Sequence, residues 1–153
     1  MHSFLLLLHS WLRWPALLLL LYALYRAYAG LAGRKGFTPA DRQALLWALT
    51  ALHVQFVIGL ALYLISPWVK PFLMDMAGAM KDKVARYWGL EHILGNLLAV
   101  IVITIAYSRA KRATLDSAKF RIAAIGFSLG LLILLVNIPW PFREAIGRPW
   151  FRF

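Results

Sequence analysis

Four long apolar runs make up most of the chain, and shorter stretches richer in polar residues separate them. Each run comes close to the ~17–25 residues that an α-helix needs to cross the hydrocarbon core of a bilayer. The pattern therefore predicts four transmembrane helices in one all-α domain, an up-down-up-down four-helix bundle covering residues 1–153. The predicted spans are residues 4–25, 44–65, 87–107 and 122–138.

Threonine and proline mark several ends of these spans. Thr38 followed by Pro39 is typical of a helix start, with Thr38 as the N-cap and Pro39 in the first helical position. Pro67 is expected to end the second helix and Pro139 the fourth, because proline lacks the backbone N–H that a helix interior needs. The mixed polarity of residues 72–86 favours a short helix at the membrane interface before the third span.

The composition agrees with a lipid environment. Hydrophobic residues make up 62% of the chain and charged residues 15%, whereas an average soluble domain has ~45–50% apolar residues. A soluble protein of this size could not bury so much apolar surface. The absence of cysteine excludes a disulfide framework, a thiolate zinc site, an iron–sulfur cluster and covalently attached c-type haem.

The net charge of +11 does not indicate nucleic acid binding, because the basic residues lie mainly between the apolar runs. Membrane proteins keep there the charges that set their orientation and contact lipid head groups. No Lys or Arg precedes the first span, which favours export of the N-terminus. We therefore expect a bacterial inner-membrane protein with both termini in the periplasm. Trp150, Phe151 and Phe153 stand among arginines and are typical of an interface anchor.

Ionisable residues lie inside the predicted spans. His9 and Arg13 lie in the first span, His53 in the second, and Glu91 and His92 in the third. An Arg, Lys or Asp at the centre of a span costs on the order of 2.5–3.5 kcal/mol on insertion scales. Ionisable residues within a membrane are functional candidates for that reason, so we treat these five as candidate site residues.

Spacing and depth place several of these side chains together. His9 and Arg13 are four residues apart and share a helix face, as do His92 and Asn96. With a rise of ~1.5 Å per residue, His9 and His92 are expected at one level of the membrane, on the side of the N-terminus. They are therefore the pair best placed to share one ligand.

His53 is expected about one turn deeper than that pair, near the level of Arg13. Gln55 follows it by two residues and therefore points to a different helix face. Glu91 is the only acidic side chain placed within a predicted span, so an ion pair with Arg13 is expected. The alternative role for Arg13 is to neutralise an anionic ligand group, such as a haem propionate or a quinone oxygen.

Several ligands suit histidines on different helices of a bundle. Haem b needs one or two imidazoles and a flat apolar slot, and a copper or zinc ion could use three histidines directly. A quinone would use one His or Arg as a hydrogen-bond donor. The structural alternative is that the polar groups only join helices to one another. Three tryptophans near the histidine level could line the binding site of a ring-shaped ligand: Trp11, Trp14 and Trp88.

Six short motifs spread along nearly the whole chain carry a family resemblance. They are Leu8-His9-Ser10-Trp11-Leu12-Arg13-Trp14, His53-Val54-Gln55, Gly59-Leu60-Ala61-Leu62-Tyr63, Met80-Lys81-Asp82, Glu91-His92 and Ile138-Pro139-Trp140-Pro141-Phe142. Together they resemble small four-helix bacterial membrane proteins labelled cytochrome b-like. The resemblance implies a b-type cytochrome and points to His9, Arg13, His53, Glu91 and His92.

The leading hypothesis is a b-type cytochrome-like membrane subunit that passes electrons between the quinone pool and a partner on the periplasmic side. His9 and His92 are the expected haem ligands, with His53 as the alternative ligand. Two other functions remain open, a non-catalytic accessory subunit of a larger respiratory or transport complex and a three-histidine copper or zinc site. The remaining expected cofactor-binding residues are Arg13, Glu91 and Asn96.

Overall fold

Residues 1–152 are described by a computed structural model, and within that range the fold is all-α, with no β-strand. The prediction of an all-α four-helix bundle is confirmed. In chain order the helical elements are α1 (His2–Ala32), α2 (Pro39–Ile65), α3 (Lys70–Met74), α4 (Met76–Ala79), α5 (Lys83–Arg86), a π-helical turn (Tyr87–Glu91), α6 (His92–Arg112) and α7 (Asp116–Asn137).

The four long helices α1, α2, α6 and α7 form a closed ring. Helix α1 contacts α2 and α7, and α6 contacts the same two helices. The short connections from α1 to α2 and from α6 to α7 make these neighbours antiparallel. Alanine and leucine fill most of the centre, and Ile103 and Phe127 are completely buried there.

Two glycines on α7 allow a close approach to α6. A Cβ atom added at Gly126 would collide with Ala106, and one added at Gly130 would collide with Ile103. Lipid tails are as apolar as the side chains, so helices in a membrane associate through such close packing and not through the hydrophobic effect. The small residues therefore explain the tight pairing of α6 with α7.

The chain is a multi-pass membrane protein. Four helical segments are long and apolar enough to cross a membrane: His2–Ala32, Pro39–Ile65, Lys83–Arg112 and Asp116–Asn137. All four of these extend past the predicted apolar runs at one end or at both, since backbone hydrogen bonding continues into the interface. Long basic side chains there keep their charge in water while their stems cover apolar surface.

One end of the bundle carries the α1–α2 and α6–α7 connections, and we call it the loop end. The predicted helix start at Thr38 is confirmed there: Thr38 Oγ1 accepts a hydrogen bond from the Asp41 N–H (3.3 Å), and Asp41 Oδ2 accepts one from the Thr38 N–H (2.8 Å). Asp41 is buried, and its Oδ1 accepts a hydrogen bond from Arg26 Nε at 2.8 Å. This network joins α1 to α2.

The opposite end carries both termini and the segment between α2 and α6, and we call it the tail end. The single interfacial helix predicted over residues 72–86 is wrong, because the structure has three short helices there. Two aspartates divide the segment by capping new helix starts. The Asp75 carboxylate accepts a hydrogen bond from the Gly78 N–H (2.9 Å), and the Asp82 carboxylate accepts one from the Ala85 N–H (2.6 Å).

Residues 138–152, here called the tail, fold back against α1. Trp11 Nε1 donates a hydrogen bond to the Arg152 carbonyl (2.8 Å), and Arg13 Nη2 (2.9 Å) and Trp14 Nε1 (3.2 Å) both donate to the Trp150 carbonyl. Three donors on one helix therefore hold two carbonyl groups of the tail. The tail closes the end of the bundle in addition to presenting aromatic residues at the interface, and the expected anchor residue Phe153 lies outside the described range.

Candidate functional site

A cavity of about 670 Å³ lies inside the bundle at the tail end. All four long helices, the α2–α6 segment and the tail contribute to its wall, which includes His9, His92 and Arg148. The volume falls within the ~300–1,000 Å³ of typical ligand pockets. Leu60 and Trp68 also line the cavity and are 40% and 55% exposed, so the cavity reaches the outer surface of the bundle beside α2.

His9 reaches the cavity from α1. Gln55 Nε2 donates a hydrogen bond to the His9 backbone carbonyl (2.8 Å) and so ties α2 to α1 at this level. Gly59 makes room for the imidazole, since a Cβ atom there would lie only 2.9 Å from His9 Cε1. His9 Nδ1 is buried and has no hydrogen-bond partner among residues 1–152.

His92 reaches the same cavity from the start of α6. Its Nδ1 lies 3.0 Å from the Asn137 carbonyl oxygen. A carbonyl oxygen only accepts hydrogen bonds, so this contact assigns the proton to Nδ1 and leaves the lone pair on Nε2. The Tyr87 hydroxyl donates to the same carbonyl at 2.6 Å, and Asn96 Nδ2 donates to the His92 backbone carbonyl at 2.6 Å. The imidazole is therefore held on one side, and Nε2 has no hydrogen-bond partner among the described residues.

Buried polar atoms without a partner are concentrated in this cavity. In the described part of the chain there are four such side-chain atoms, and all four belong to residues that line it. Leaving a buried polar atom unpaired costs ~1–3 kcal/mol. Their concentration indicates that the cavity holds water or the polar atoms of a ligand. The atoms are His9 Nδ1, Arg13 Nε, Gln55 Oε1 and Trp88 Nε1.

The structure does not bring His53 to the cavity. His53 Nδ1 lies 2.8 Å from the Leu49 carbonyl, one turn back on α2, and its Nε2 lies 3.5 Å from Thr104 Oγ1 on α6. Both ring nitrogens therefore face groups between α2 and α6. This contact is of the kind that joins neighbouring helices in a membrane.

The predicted ion pair between Arg13 and Glu91 is wrong. Glu91 is exposed and pairs with Arg86 at 2.7 Å, whereas Arg13 donates to the tail. Glu91 does not line the cavity, because its carboxylate is turned to the outer face of the bundle, where it meets Arg86. Arg86 lies five residues before Glu91, and the π-helical turn between Arg86 and His92 brings the two side chains to the same outer face.

A metal site with three protein ligands is also not present. Among residues 1–152 there is no group of three His, Asp or Glu side chains that could hold a metal ion. His53 lies apart from His9 and His92, because both of its ring nitrogens face groups between α2 and α6. The three-histidine copper or zinc hypothesis is therefore wrong for the described residues.

Sequence reasoning missed part of the site. The sequence places Gln55 on a different helix face from His53, and in the structure that face lines the cavity. Arg148 and Arg152 line the cavity from the tail, where their positions depend on a fold-back that no local pattern indicates. Of the three tryptophans near the histidine level, Trp88 lines the cavity, whereas the other two donate hydrogen bonds to the tail.

Arg148 is held over aromatic rings at the tail end. Its guanidinium carbon lies 4.6 Å from the ring centroid of Trp88 and 5.8 Å from that of Trp68. Burial, together with the nearby charge of Arg152, lowers the pKa of the Arg148 guanidinium from its ordinary value. The guanidinium group is incompletely solvated, so an anionic partner would stabilise its charge.

The cavity can bind a sizeable, mostly apolar molecule and offer it nitrogen donors and ligands. Its described lining residues include three imidazoles, from His2, His9 and His92, and two carboxamides, from Gln55 and Asn96, but no side-chain carboxylate. Neutral imidazoles can act as hydrogen-bond donors, hydrogen-bond acceptors or metal ligands. Comparison with known protein families, with curated protein sequences and with solved structures finds no match to this chain.

Proposed function

We propose that this protein is a small b-type cytochrome-like membrane subunit that holds one haem b in the tail-end cavity. The observation that carries the proposal is that His9 and His92, on different helices, line one largely apolar cavity and each keep a ring nitrogen without a partner. Two imidazoles from separate helices of a four-helix bundle are a common way to hold haem iron.

The residues of the cavity fit the group. A histidine that ligates a metal usually donates its other ring N–H to a carboxylate or a backbone carbonyl. The contact of His92 Nδ1 with the Asn137 carbonyl is of this kind, and Nε2 would be the atom that ligates the iron. His9 offers its unpaired Nδ1 within the same cavity, and Trp88 adds an aromatic wall.

The chain's own residues would perform three tasks around the group. His9 and His92 would ligate the iron, and Asn137 would keep the second imidazole in the required tautomer. The tail would exclude water from this end of the cavity through the hydrogen bonds that Trp11 and Trp14 donate to it. A bound haem b would supply one-electron redox chemistry, which no side chain of this cavity provides.

We further propose that the protein exchanges electrons with the quinone pool and with a partner on the periplasmic side. An opening beside Leu60, which lies on the apolar flank of α2, would suit a lipid-soluble quinone. The tail end holds both termini and is the side that we assign to the periplasm of a bacterial inner membrane. Other membrane subunits are the proposed partners.

The orientation can be tested with reporter fusions. Alkaline phosphatase fused after Phe153 should be active, because the enzyme matures only outside the cytoplasm. The same reporter inserted at Gly36, in the loop-end connection, should be inactive in protein expressed to the same level. An inactive fusion at Phe153 with an active one at Gly36 would reverse the proposed topology.

The haem proposal is tested by adding haemin to haem-free protein in lipid nanodiscs. We expect the Soret band to shift and to saturate at one haemin per chain. Gly59→Ala should weaken haemin binding about tenfold or more, because the new methyl group lies against the His9 ring and displaces it. Gly36→Ala is the matched control, since a Cβ atom there would lie 3.6 Å from its nearest neighbour, Asp116 Oδ2.

Helical content by circular dichroism shows whether both glycine variants remain folded. A titration that fails to saturate, or equal haemin binding by folded Gly59→Ala and wild-type protein, would contradict the proposed site. If the polar residues of the cavity only join helices or serve an accessory subunit, haemin should not bind there specifically. Helix-joining contacts, such as the hydrogen bond from Tyr87 to the Asn137 carbonyl, need no ligand.

A further inference from the structure

The tail-end cavity carries positive charge that no acidic side chain balances. Arg13, Arg148 and Arg152 line it, and no Asp or Glu is present among its described lining residues. Arg13 Nε is buried and has no hydrogen-bond partner among residues 1–152. A cation next to the membrane interior needs an anion, water or a hydrogen-bond acceptor.

The acidic residues of the chain are committed elsewhere. Three of them pair with cations outside the cavity: Asp41 with Arg26, Glu91 with Arg86, and Asp116 with Lys119. Two more, Asp75 and Asp82, cap short helices in the α2–α6 segment. The sixth, Glu144, is exposed and does not line the cavity. Within residues 1–152, no side-chain carboxylate therefore supplies the counter-charge for the three arginines.

The arginines are also held in position, which favours binding over free movement in solvent. Arg13 Nη2 donates a hydrogen bond to the Trp150 carbonyl (2.9 Å), and the neighbouring Nε is unpaired among residues 1–152. Arg148 lies 4.6 Å over the Trp88 ring. A guanidinium group whose orientation is already set loses less conformational entropy when it binds an oxyanion through two parallel hydrogen bonds.

Apolar side chains form the rest of the wall. Leu17, Leu52, Leu62, Val100 and Leu134 line the cavity and are buried. A free inorganic anion would gain nothing from such a wall, whereas an amphiphile could bury its apolar part against it.

We propose that Arg13, Arg148 and Arg152 form a binding site for the oxyanion of an amphiphile whose apolar body lies in the tail-end cavity. The oxyanion is a carboxylate or a phosphate, since guanidinium groups bind both in the same paired manner. Two sources fit this chemistry, the acidic side chains of a porphyrin and the head group of an anionic lipid or fatty acid. The site does not depend on the haem proposal, because the three arginines would bind any ligand of this class.

The experiment measures whether the protein distinguishes an acid from its neutral ester. Haem-free protein in phosphatidylcholine nanodiscs is titrated with a fluorescent twelve-carbon fatty acid and, separately, with the methyl ester of the same molecule. We expect the acid to bind about tenfold or more tightly than the ester, because only the acid can form charge-assisted hydrogen bonds with the arginines. If the wild-type protein binds the two probes equally, the proposal is overturned before any variant is measured.

The variant for this test is Arg148→Gln with Arg152→Gln. It removes two positive charges, and it keeps the tail attachment, because Trp11 binds the backbone carbonyl of Arg152 and not its side chain. We expect the preference for the acid to fall below about threefold. The matched control is Arg109→Gln with Arg112→Gln, which removes the same charge from exposed positions at the loop end and should keep the full preference.

Two competition arms identify the source of the oxyanion. Haemin that displaces the fatty acid, where haemin dimethyl ester does not, indicates that porphyrin carboxylates use the site. Displacement by an alkyl phosphate but not by inorganic phosphate indicates a lipid head group. An acid preference that survives unchanged in the folded Arg148→Gln, Arg152→Gln protein would overturn the assignment to these arginines. If the protein keeps its preference for the fatty acid over the ester but does not bind haemin, only the haem proposal is rejected.

Discussion

We expect that replacing either His92 or His9 by alanine removes haem from the purified protein, whereas replacing His53 leaves the haem content unchanged. The first two histidines line the tail-end cavity, and each keeps a ring nitrogen available for iron. A haem that would be held by two imidazoles should be retained about 10–100-fold less, or lost, when one of them is removed. Haem per mole of folded protein is the quantity to measure.

His53→Ala is the matched control for this pair. His53 also lies inside a transmembrane helix, but its Nδ1 contacts the Leu49 carbonyl and its Nε2 lies 3.5 Å from Thr104 Oγ1, both away from the cavity. We expect the variant to lose about 1 kcal/mol of stability at most, the usual value of one hydrogen bond. Haem loss in folded His53→Ala protein with retention in His9→Ala would show that the ligand pair is wrongly assigned.

The second large effect concerns the tail. Removing residues 143–153 should leave the four long helices folded, because the buried core lies within α1, α2, α6 and α7. The same truncation takes Arg148 and Arg152 from the cavity wall, together with the two carbonyl groups that bind Trp11, Arg13 and Trp14. We expect haemin binding to weaken about tenfold or more, since this loss of about 1.4 kcal/mol is comparable with one or two hydrogen bonds.

Trp14→Phe provides the control for the truncation. Phenylalanine lacks the indole N–H that donates to the Trp150 carbonyl, but it keeps an aromatic ring against Phe151, whose centroid lies 5.5 Å from that of Trp14. We expect this variant to bind haemin within about threefold of the wild type. If the truncated protein keeps its helical content and binds haemin as tightly as the full chain, the tail does not close the cavity.

The fold could be predicted from the sequence because the membrane makes its signals strong. Apolar runs of spanning length predict helices directly, since lipid leaves the backbone no other partner for its hydrogen bonds. The start of α2 was equally visible, because Thr38 and Pro39 carry a local capping signal that the structure confirms. The ends of α1 and α6 at the loop end of the bundle could not be predicted in this way, because these helices continue into the interface beyond the apolar run.

The site was only partly predictable because its geometry depends on contacts with no local signature. Depth along the helices brought His9 and His92 together correctly as neighbours of one cavity. The π-helical turn before His92 changes the helical phase, and Glu91 therefore pairs with Arg86 on the outer face. The tail is held through backbone carbonyls, and these are present in every residue type, so no pattern of side chains could indicate the fold-back.

The most direct test of a redox-active haem in this cavity is a quinol-reduced minus oxidised absorption spectrum of the protein purified from cells supplied with haem. We predict a Soret band and an α-band of a b-type cytochrome, with one haem per chain, that appear on addition of a quinol. Both bands should be absent from a folded variant that carries His9→Ala and His92→Ala. A colourless protein, with no bands even after reduction with dithionite, would contradict the proposed function.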